Sequence, residues 1–163
     1  MIRKKNKFSW PRKLYDKRRI SEENLLVEQY GLKNKREIWK AESKVKYFRN
    51  RAKVLITADH EEQKKFFVKL NSIGLPVKNI ADVLALNKED ILKRRLATIV
   101  WKRGLANTAR QARQWIVHKK IIVGGCAVNA PSYLVPVAHE QQIVLKKNSK
   151  SDGPAIKPAG VEA

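Results

Sequence analysis

Lysine and arginine dominate the reactive side chains of this sequence. The 163 residues include 36 Lys and Arg against 15 Asp and Glu, a formal net charge of +21. Guanidinium and ammonium groups in such excess bind phosphate oxygens, so the composition predicts a polyanionic partner, most simply a nucleic acid. Hydrophobic residues make up 43% of the chain, which is enough for a packed core and excludes a merely disordered polycation.

Side chains that could catalyse a reaction or bind a metal are few and scattered. His60, His118 and His139 fall in different predicted elements, and the single cysteine, Cys126, excludes an internal disulfide and a multi-cysteine zinc site. The sequence has no glycine-rich phosphate loop followed by Lys-Ser or Lys-Thr. We therefore expect no enzyme, metal site, cofactor or small-molecule substrate. We also expect no membrane partner, because no apolar stretch could span a bilayer and no signal peptide is visible.

The positive charge is distributed unevenly along the chain. Residues 1–53 hold 18 Lys and Arg against 6 acids, residues 54–93 hold 6 of each, and residues 94–163 hold 12 against 3. Two basic regions around a neutral segment predict two contact surfaces for one polyanion, the alternative being amino-acid bias or solvated faces. The predicted parts are a basic extended arm (1–20), a helical scaffold (21–93), a small α+β domain (94–147) and a disordered tail (148–163).

The predicted arm mixes cations with aromatic rings and has no apolar period. Its rings, Phe8, Trp10 and Tyr15, either stack on bases or pin the arm to the core of the protein, and the sequence leaves both readings open. The candidate RNA-binding residues of the arm are Arg12, Lys13, Arg18 and Arg19.

Amphipathic helices follow the arm. Ser21 is a predicted N-cap, and Asn34 with Glu37 predicts a capping box at the start of a long helix with an apolar stripe over residues 38–55. The other faces of that helix are basic and could lie against phosphates. Its candidate RNA-binding residues are Lys35, Arg36, Lys40, Lys44, Arg49, Arg51 and Lys53.

The neutral segment, residues 54–93, is predicted to be a scaffold. Asp59, paired with Glu62 in a second capping-box pattern, begins a helix that Gly74 ends, and residues 79–86 predict a short helix. A further helix is predicted from Asn87 to about Arg103. The elements between residues 54 and 93 are neutral and contain no titratable cluster, so we expect them to serve as the scaffold that positions the basic surfaces.

After Gly104 the pattern changes from helix to sheet. Thr108 is placed to cap a second helix with Gln111 at its third position, and Trp115 lies on the apolar face, where packing in the core is favoured over base stacking. Gly124-Gly125 between two apolar triplets predicts a two-residue hairpin. Residues 142–147 could return as a last strand.

Two segments carry a family resemblance. The run from Arg94 to Pro136 closely resembles the RNA-binding domain named after small-subunit ribosomal protein four, and Tyr30 to Ser43 resembles the N-terminal region of that protein family in its archaeal and eukaryotic branch. The predicted fold class is α+β, with a helical N-terminal region followed by two helices packed on a short, mostly antiparallel sheet. The resemblance implies RNA contacts from Arg94, Arg95, Lys102, Thr108, Arg110, Gln111, Arg113, Gln114, His118, Lys119 and Lys120.

The resemblance also implies a function. It predicts a cytoplasmic, primary rRNA-binding component of the small ribosomal subunit, which clamps a junction in the 5′ part of the small-subunit rRNA and nucleates assembly of the body. Contact with small-subunit ribosomal protein five and an influence on translational accuracy are implied as well. Lys119 and Lys120 follow His118, where the family often has glycine and another histidine. The alternatives are a stand-alone RNA chaperone or stress protein with the same module, or a helix-turn-helix DNA-binding regulator.

Overall fold

Two hydrophobic clusters organise the chain. A computed structural model of the protein describes residues 6–146. The first cluster lies in a helical unit (residues 17–93), and the second lies in an α+β unit (residues 94–146). The helices of the first unit are α1 (Lys17–Gln29), α2 (Lys35–Leu55), α3 (His60–Ile73), α4 (Ile80–Ala85) and α5 (Lys88–Lys93).

The α+β unit packs helices on a small antiparallel sheet. Its elements are α6 (Leu96–Lys102), α7 (Ala109–Val117), β1 (Ile121–Val123), β2 (Cys126–Ala127), α8 (Val137–Glu140) and β3 (Ile143–Leu145). β1 is the central strand, in the order β2-β1-β3. α6 packs on α7, and α2 of the helical unit packs on α4 and α5. The predicted α+β fold class is confirmed, whereas the short α8 was not predicted.

The first helix begins five residues earlier than predicted. Asp16, and not Ser21, is its N-cap, and the Asp16 carboxylate accepts a hydrogen bond from the backbone N–H of Arg18 at 3.1 Å. Arg19 fixes the chain just before the helix, because its Nη2 donates to the carbonyl oxygens of Lys13 and Leu14 at 3.0 and 2.9 Å. Residues 17–20 of the predicted extended arm are therefore helical.

The helix predicted from Asn87 to Arg103 is in fact two helices, α5 and α6. Arg95 between them is extended, with φ −73° and ψ 144°, and forms an isolated antiparallel bridge with Leu134. The backbone N–H of Leu96 donates to the carbonyl of Tyr133 at 2.8 Å, and that of Val135 donates to the carbonyl of Arg94 at 3.2 Å. These nonlocal bonds replace the intrahelical bonds that a continuous helix would make.

Several local predictions are confirmed. The Thr108 hydroxyl accepts from the backbone N–H of Gln111 at 3.1 Å and so caps α7. Gly124 and Gly125 have φ of 55° and 83°, as a two-residue hairpin between β1 and β2 requires. Gly74 ends α3 in the left-handed region, with φ 85°. The predicted capping bonds of α2 and α3 are wrong. Asn34 and Asp59 are the N-cap residues of these helices, but neither side chain forms the expected capping hydrogen bond.

Candidate nucleic-acid interface

A partly open groove runs between α2 and the start of the α+β unit. Its volume is about 740 Å³. Lys40 and Lys44 of α2 line it together with Arg95 and Arg113 of the α+β unit. These four belong to two basic regions that lie far apart in the sequence. The structure thus brings part of the predicted binding set together at one place.

Glu37 holds this place together. Its carboxylate accepts hydrogen bonds from Arg113 Nη2 at 2.9 Å, from Arg113 Nη1 at 3.2 Å, and from Arg95 Nη2 in a short contact. The side chains of Arg95, Glu37 and Arg113 are 6%, 16% and 22% exposed. Burial alone would raise the pKa of Glu37, but the hydrogen bonds from Arg113 and Arg95 outweigh it and hold that pKa below its ordinary value. The carboxylate therefore stays ionised and ties α2 to α7 and to Arg95, the residue just before α6.

Arg94 makes a second connection between the units. Its Nε donates to the carbonyl of Ile73 at 2.9 Å, Nη2 donates to the carbonyl of Val135 at 3.0 Å, and Nη1 pairs with Glu140 at 2.9 Å. A Cβ at Gly74 would lie 2.4 Å from the Arg94 guanidinium carbon, so only glycine leaves room for this side chain. Arg94 thus fastens the end of α3 to the loop and helix that precede β3.

The other candidate residues of the α+β unit divide by exposure. Gln111 is partly buried, and its side-chain oxygen accepts from the backbone N–H of Asn107 at 2.8 Å, which makes it part of the α7 cap. The remaining candidates face solvent, and none of them forms an ion pair within residues 6–146. They are Lys102, Thr108, Arg110, Gln114, His118, Lys119 and Lys120.

The basic residues of the helical unit divide in the same way. Arg19 pairs with the buried Glu23 at 2.6 Å, and Lys35 lies 3.7 Å from the same carboxylate. Arg49 donates to the carbonyl of Leu86 at 2.6 Å. The side chains that remain exposed, in this unit and in the segment before it, are Arg12, Lys13, Arg18, Arg36, Lys40, Lys44, Arg51 and Lys53.

The aromatic rings before α1 behave differently from one another. Trp10 packs on Trp39 with 5.3 Å between ring centroids, and the Arg36 guanidinium lies 5.7 Å from the Trp10 ring centroid. Tyr15 is almost fully exposed. The sequence left open whether these rings pack on the protein or stack on bases. Trp10 packs on the protein, whereas Tyr15 does not. Trp115 packs against the second hydrophobic cluster, as predicted.

The groove also contains residues that were not predicted from the sequence. Lys7, Tyr47 and Ser132 line it beside Lys44. Partial desolvation lowers the pKa of Lys44, and repulsion from Lys7 and Arg95 adds to this effect. Lys40, Lys44 and Tyr47 are spaced by four and three residues, which places them on one face of a helix. This spacing could have indicated from the sequence that Tyr47 lies beside the two lysines.

Residues 6–146 contain neither a metal-binding cluster nor a membrane-spanning helix. No group of three His, Cys, Asp or Glu side chains in that part of the chain could hold a metal ion. Among the same residues, no helix has the length and apolar character needed to cross a membrane.

Comparison with known proteins identifies the family. Residues 94–140 match the S4 domain model. The small ribosomal subunit protein uS4 of Methanococcus aeolicus is 48% identical over 138 residues, which cover 80% of this chain and 78% of the relative. The uS4 proteins of Methanosphaera stadtmanae and Halobacterium salinarum are 45% and 40% identical, covering 82% and 87% of this chain and 80% and 85% of those proteins. The resemblance noted in the sequence is thereby confirmed, and this chain belongs to the uS4 family of small-subunit ribosomal proteins.

Proposed function

We propose that this protein is a structural component of the small ribosomal subunit that acts by binding rRNA. One observation supports the proposal above all: cations from both basic regions border a single groove, and the ion pairs of Glu37 with Arg95 and Arg113 hold the helical and α+β units together. The names of its uS4 relatives support the ribosomal assignment. Membership of this family also confirms the prediction that the chain is not an enzyme.

The exposed cations supply the binding energy in this proposal. Arg110, Lys119 and Lys120 of the α+β unit, with Lys40 and Lys44 of α2, contact phosphates of different rRNA helices. Because Glu37 and Arg94 fix the two units relative to each other, the protein fixes the angle between those helices and lowers the entropic cost of forming an RNA junction. The primary contact is with a junction in the 5′ part of the small-subunit rRNA, where binding nucleates assembly of the body.

Three further parts of the proposal rest on the family resemblance alone. They are a contact with small-subunit ribosomal protein five, an influence on translational accuracy, and a place in the cytoplasmic small subunit. We attach no residues to the first two. Crosslinking in cell lysate would test the protein contact and the place in the subunit by showing which proteins and RNA positions lie beside this chain, and a misreading assay would test the influence on accuracy.

Competition binding tests the central claim. A fragment of small-subunit rRNA that contains the junction competes against tRNA, unstructured RNA and duplex DNA at fixed salt. We expect the rRNA fragment to bind best, and its log affinity to fall by about 0.7–0.9 per neutralised phosphate as log salt rises. A slope equivalent to one or two contacts would contradict the clamp. Preference for duplex DNA would favour a helix-turn-helix regulator, and equal binding of all RNAs would favour a stand-alone chaperone.

A further inference from the structure

The groove between the units has an apolar floor that phosphate contact alone does not use. Ala41 of α2 and Ile91 and Leu92 of α5 are buried at its base, and Leu134 is half-buried beside them. Tyr47 stands at the wall with 65% of its surface exposed. A volume of about 740 Å³ falls within the range of small-ligand pockets. The volume and the apolar lining are compatible with a group the size of a nucleobase.

The rim of this groove is cationic. Lys7, Lys40 and Lys44 line it and form no ion pair within residues 6–146. Its one carboxylate, Glu37, is already shared by two arginines, so no acid remains to balance the lysines. The complementary ligand has apolar faces that enter the groove and negative charge that stays at the mouth.

A nucleotide has this distribution of groups. Its base is planar and stacks on aromatic rings, and its phosphates lie at the periphery. A paired base cannot enter, since its faces are covered by neighbours in the helix, whereas loops and bulges present bases that can be splayed out. We propose that the groove accepts the base of one unpaired nucleotide of the bound RNA, with the base against Tyr47 and the flanking phosphates on Lys40 and Lys44.

This inference rests on the proposed RNA-binding function and goes beyond it by naming the RNA feature that is recognised. It predicts selectivity for an extruded base, which phosphate contacts alone do not provide. The basic surface would otherwise bind bulged and fully paired helices with similar affinity.

The test uses two short RNA hairpins that differ by one unpaired uridine, with the full-length protein. We expect the bulged hairpin to bind more tightly than the paired one. Replacement of the unpaired uridine by thiouridine should give photocrosslinks to peptides that contain Tyr47 or residues 131–134. Crosslinks confined to other segments would overturn the proposal.

Matched variants separate the groove from the rest of the surface. Tyr47→Ala should lower the ratio of bulged to paired affinity by about fivefold or more, the usual effect of losing one stacking ring, and Tyr47→Phe should keep the ratio. Val68→Ala, at an exposed apolar position of α3 outside the groove, should leave the ratio unchanged. Ser132→Trp, which fills the mouth from an exposed position, should abolish the preference, whereas Ser72→Trp on α3 should not.

Each contrary outcome has a distinct meaning. If both hairpins bind better than duplex DNA but with equal affinity, the groove proposal fails and the RNA-binding function stands. If neither hairpin binds better than duplex DNA, the proposed function itself fails. If free uridine monophosphate or an acidic peptide containing phenylalanine displaces the bulge crosslink at the concentration at which the bulged hairpin does, the groove is not selective for RNA and the inference is wrong.

Discussion

Glu37→Gln tests whether the two units are held by a buried ionic connection. The wild-type carboxylate accepts three hydrogen bonds from two guanidinium groups, those of Arg95 just before α6 and of Arg113 in α7. The variant keeps the shape of the side chain and one acceptor oxygen but removes the charge. Arg95, whose side chain is only 6% exposed, is then left with an uncompensated positive charge that water can solvate only in small part.

The magnitude follows from the burial of the partners. Removing one member of a buried ion pair costs about 3–5 kcal/mol, because the remaining charge stays desolvated. Arg113 is 22% exposed and can turn toward water, and the glutamine oxygen still accepts a hydrogen bond. We therefore expect the free energy of unfolding to fall by about 3 kcal/mol, the lower end of that range. Such a change lowers the melting temperature by about 6–12 °C in a protein of this size.

Urea and thermal unfolding measure this change, with Glu62→Gln as the matched control. Glu62 lies 3.8 Å from Arg51, and the two side chains are 57% and 49% exposed, so its loss should cost less than about 1 kcal/mol. In a double-mutant cycle, Arg95→Met should cost much less in the Glu37→Gln background than in the wild type. Equal costs in both backgrounds, or equal effects of the two Glu→Gln changes, would refute the reasoning.

The pH dependence gives an independent readout of the same connection. Folding lowers the pKa of Glu37 from its ordinary value of 4.5, so the folded state binds fewer protons there than the unfolded state. The stabilisation is thus complete above the unfolded pKa and is lost as the pH falls through the folded pKa. The difference in unfolding free energy between wild type and Glu37→Gln should be constant near neutral pH and should shrink below about pH 4.5.

Five other substitutions separate structural from binding roles. Gly31→Ala should destabilise the protein by about 2–4 kcal/mol in urea unfolding, since φ is +58° and the new Cβ would lie 2.8 Å from the backbone carbonyl carbon of Ala109. Gly125→Ala, at a hairpin position with open space around it, should cost only about 1–2 kcal/mol. Arg110→Gln should weaken rRNA binding without changing the melting temperature, and Arg113→Gln should lower the melting temperature, because only Arg113 pairs with an acid. Lys119→Gly should leave stability unchanged or raise it by about 1 kcal/mol, since φ there is +56°, yet should weaken rRNA binding measured by filter retention.

Much of the fold could be predicted from the sequence because it depends on interactions between nearby residues. The Thr108 cap, the paired glycines of the hairpin and the glycine stop after α3 each depend on residues within a few positions of one another. Each also has few structural alternatives, because positive φ favours glycine and an N-cap favours a short polar side chain. Short-range patterns of this kind need no knowledge of tertiary contacts.

The misread elements depend on partners distant in the sequence. Glu37 fits a capping box with Asn34 by spacing alone, but two arginines 58 and 76 positions away bind its carboxylate instead. The break between α5 and α6 at Arg95 depends on backbone bonds from residues 131–135. A charged side chain in sequence shows what it can bind, but only the tertiary structure shows which of several available partners it meets.

The same limitation applies to the candidate interface. Arg94, Arg95 and Arg113 match the RNA-binding motif by position, and their guanidinium groups are also the ones that fasten the units together. Arg110 matches the same motif and has no acidic partner within residues 6–146. Sequence type does not distinguish these roles, because a guanidinium suits a carboxylate and a phosphate equally well. Burial and hydrogen-bond partners do distinguish them.

The placement of the acids explains how so basic a chain can form a rigid frame. A net charge of +21 opposes compaction by self-repulsion. Glu37 and Glu140 lie at the connections between the helical and α+β units. Glu37 neutralises the guanidinium groups of Arg95 and Arg113, which would otherwise repel each other, and Glu140 pairs with Arg94. The frame therefore does not need an anion to bring its halves together. The cations that remain exposed are free to bind phosphates, so RNA acts on a surface that is already positioned.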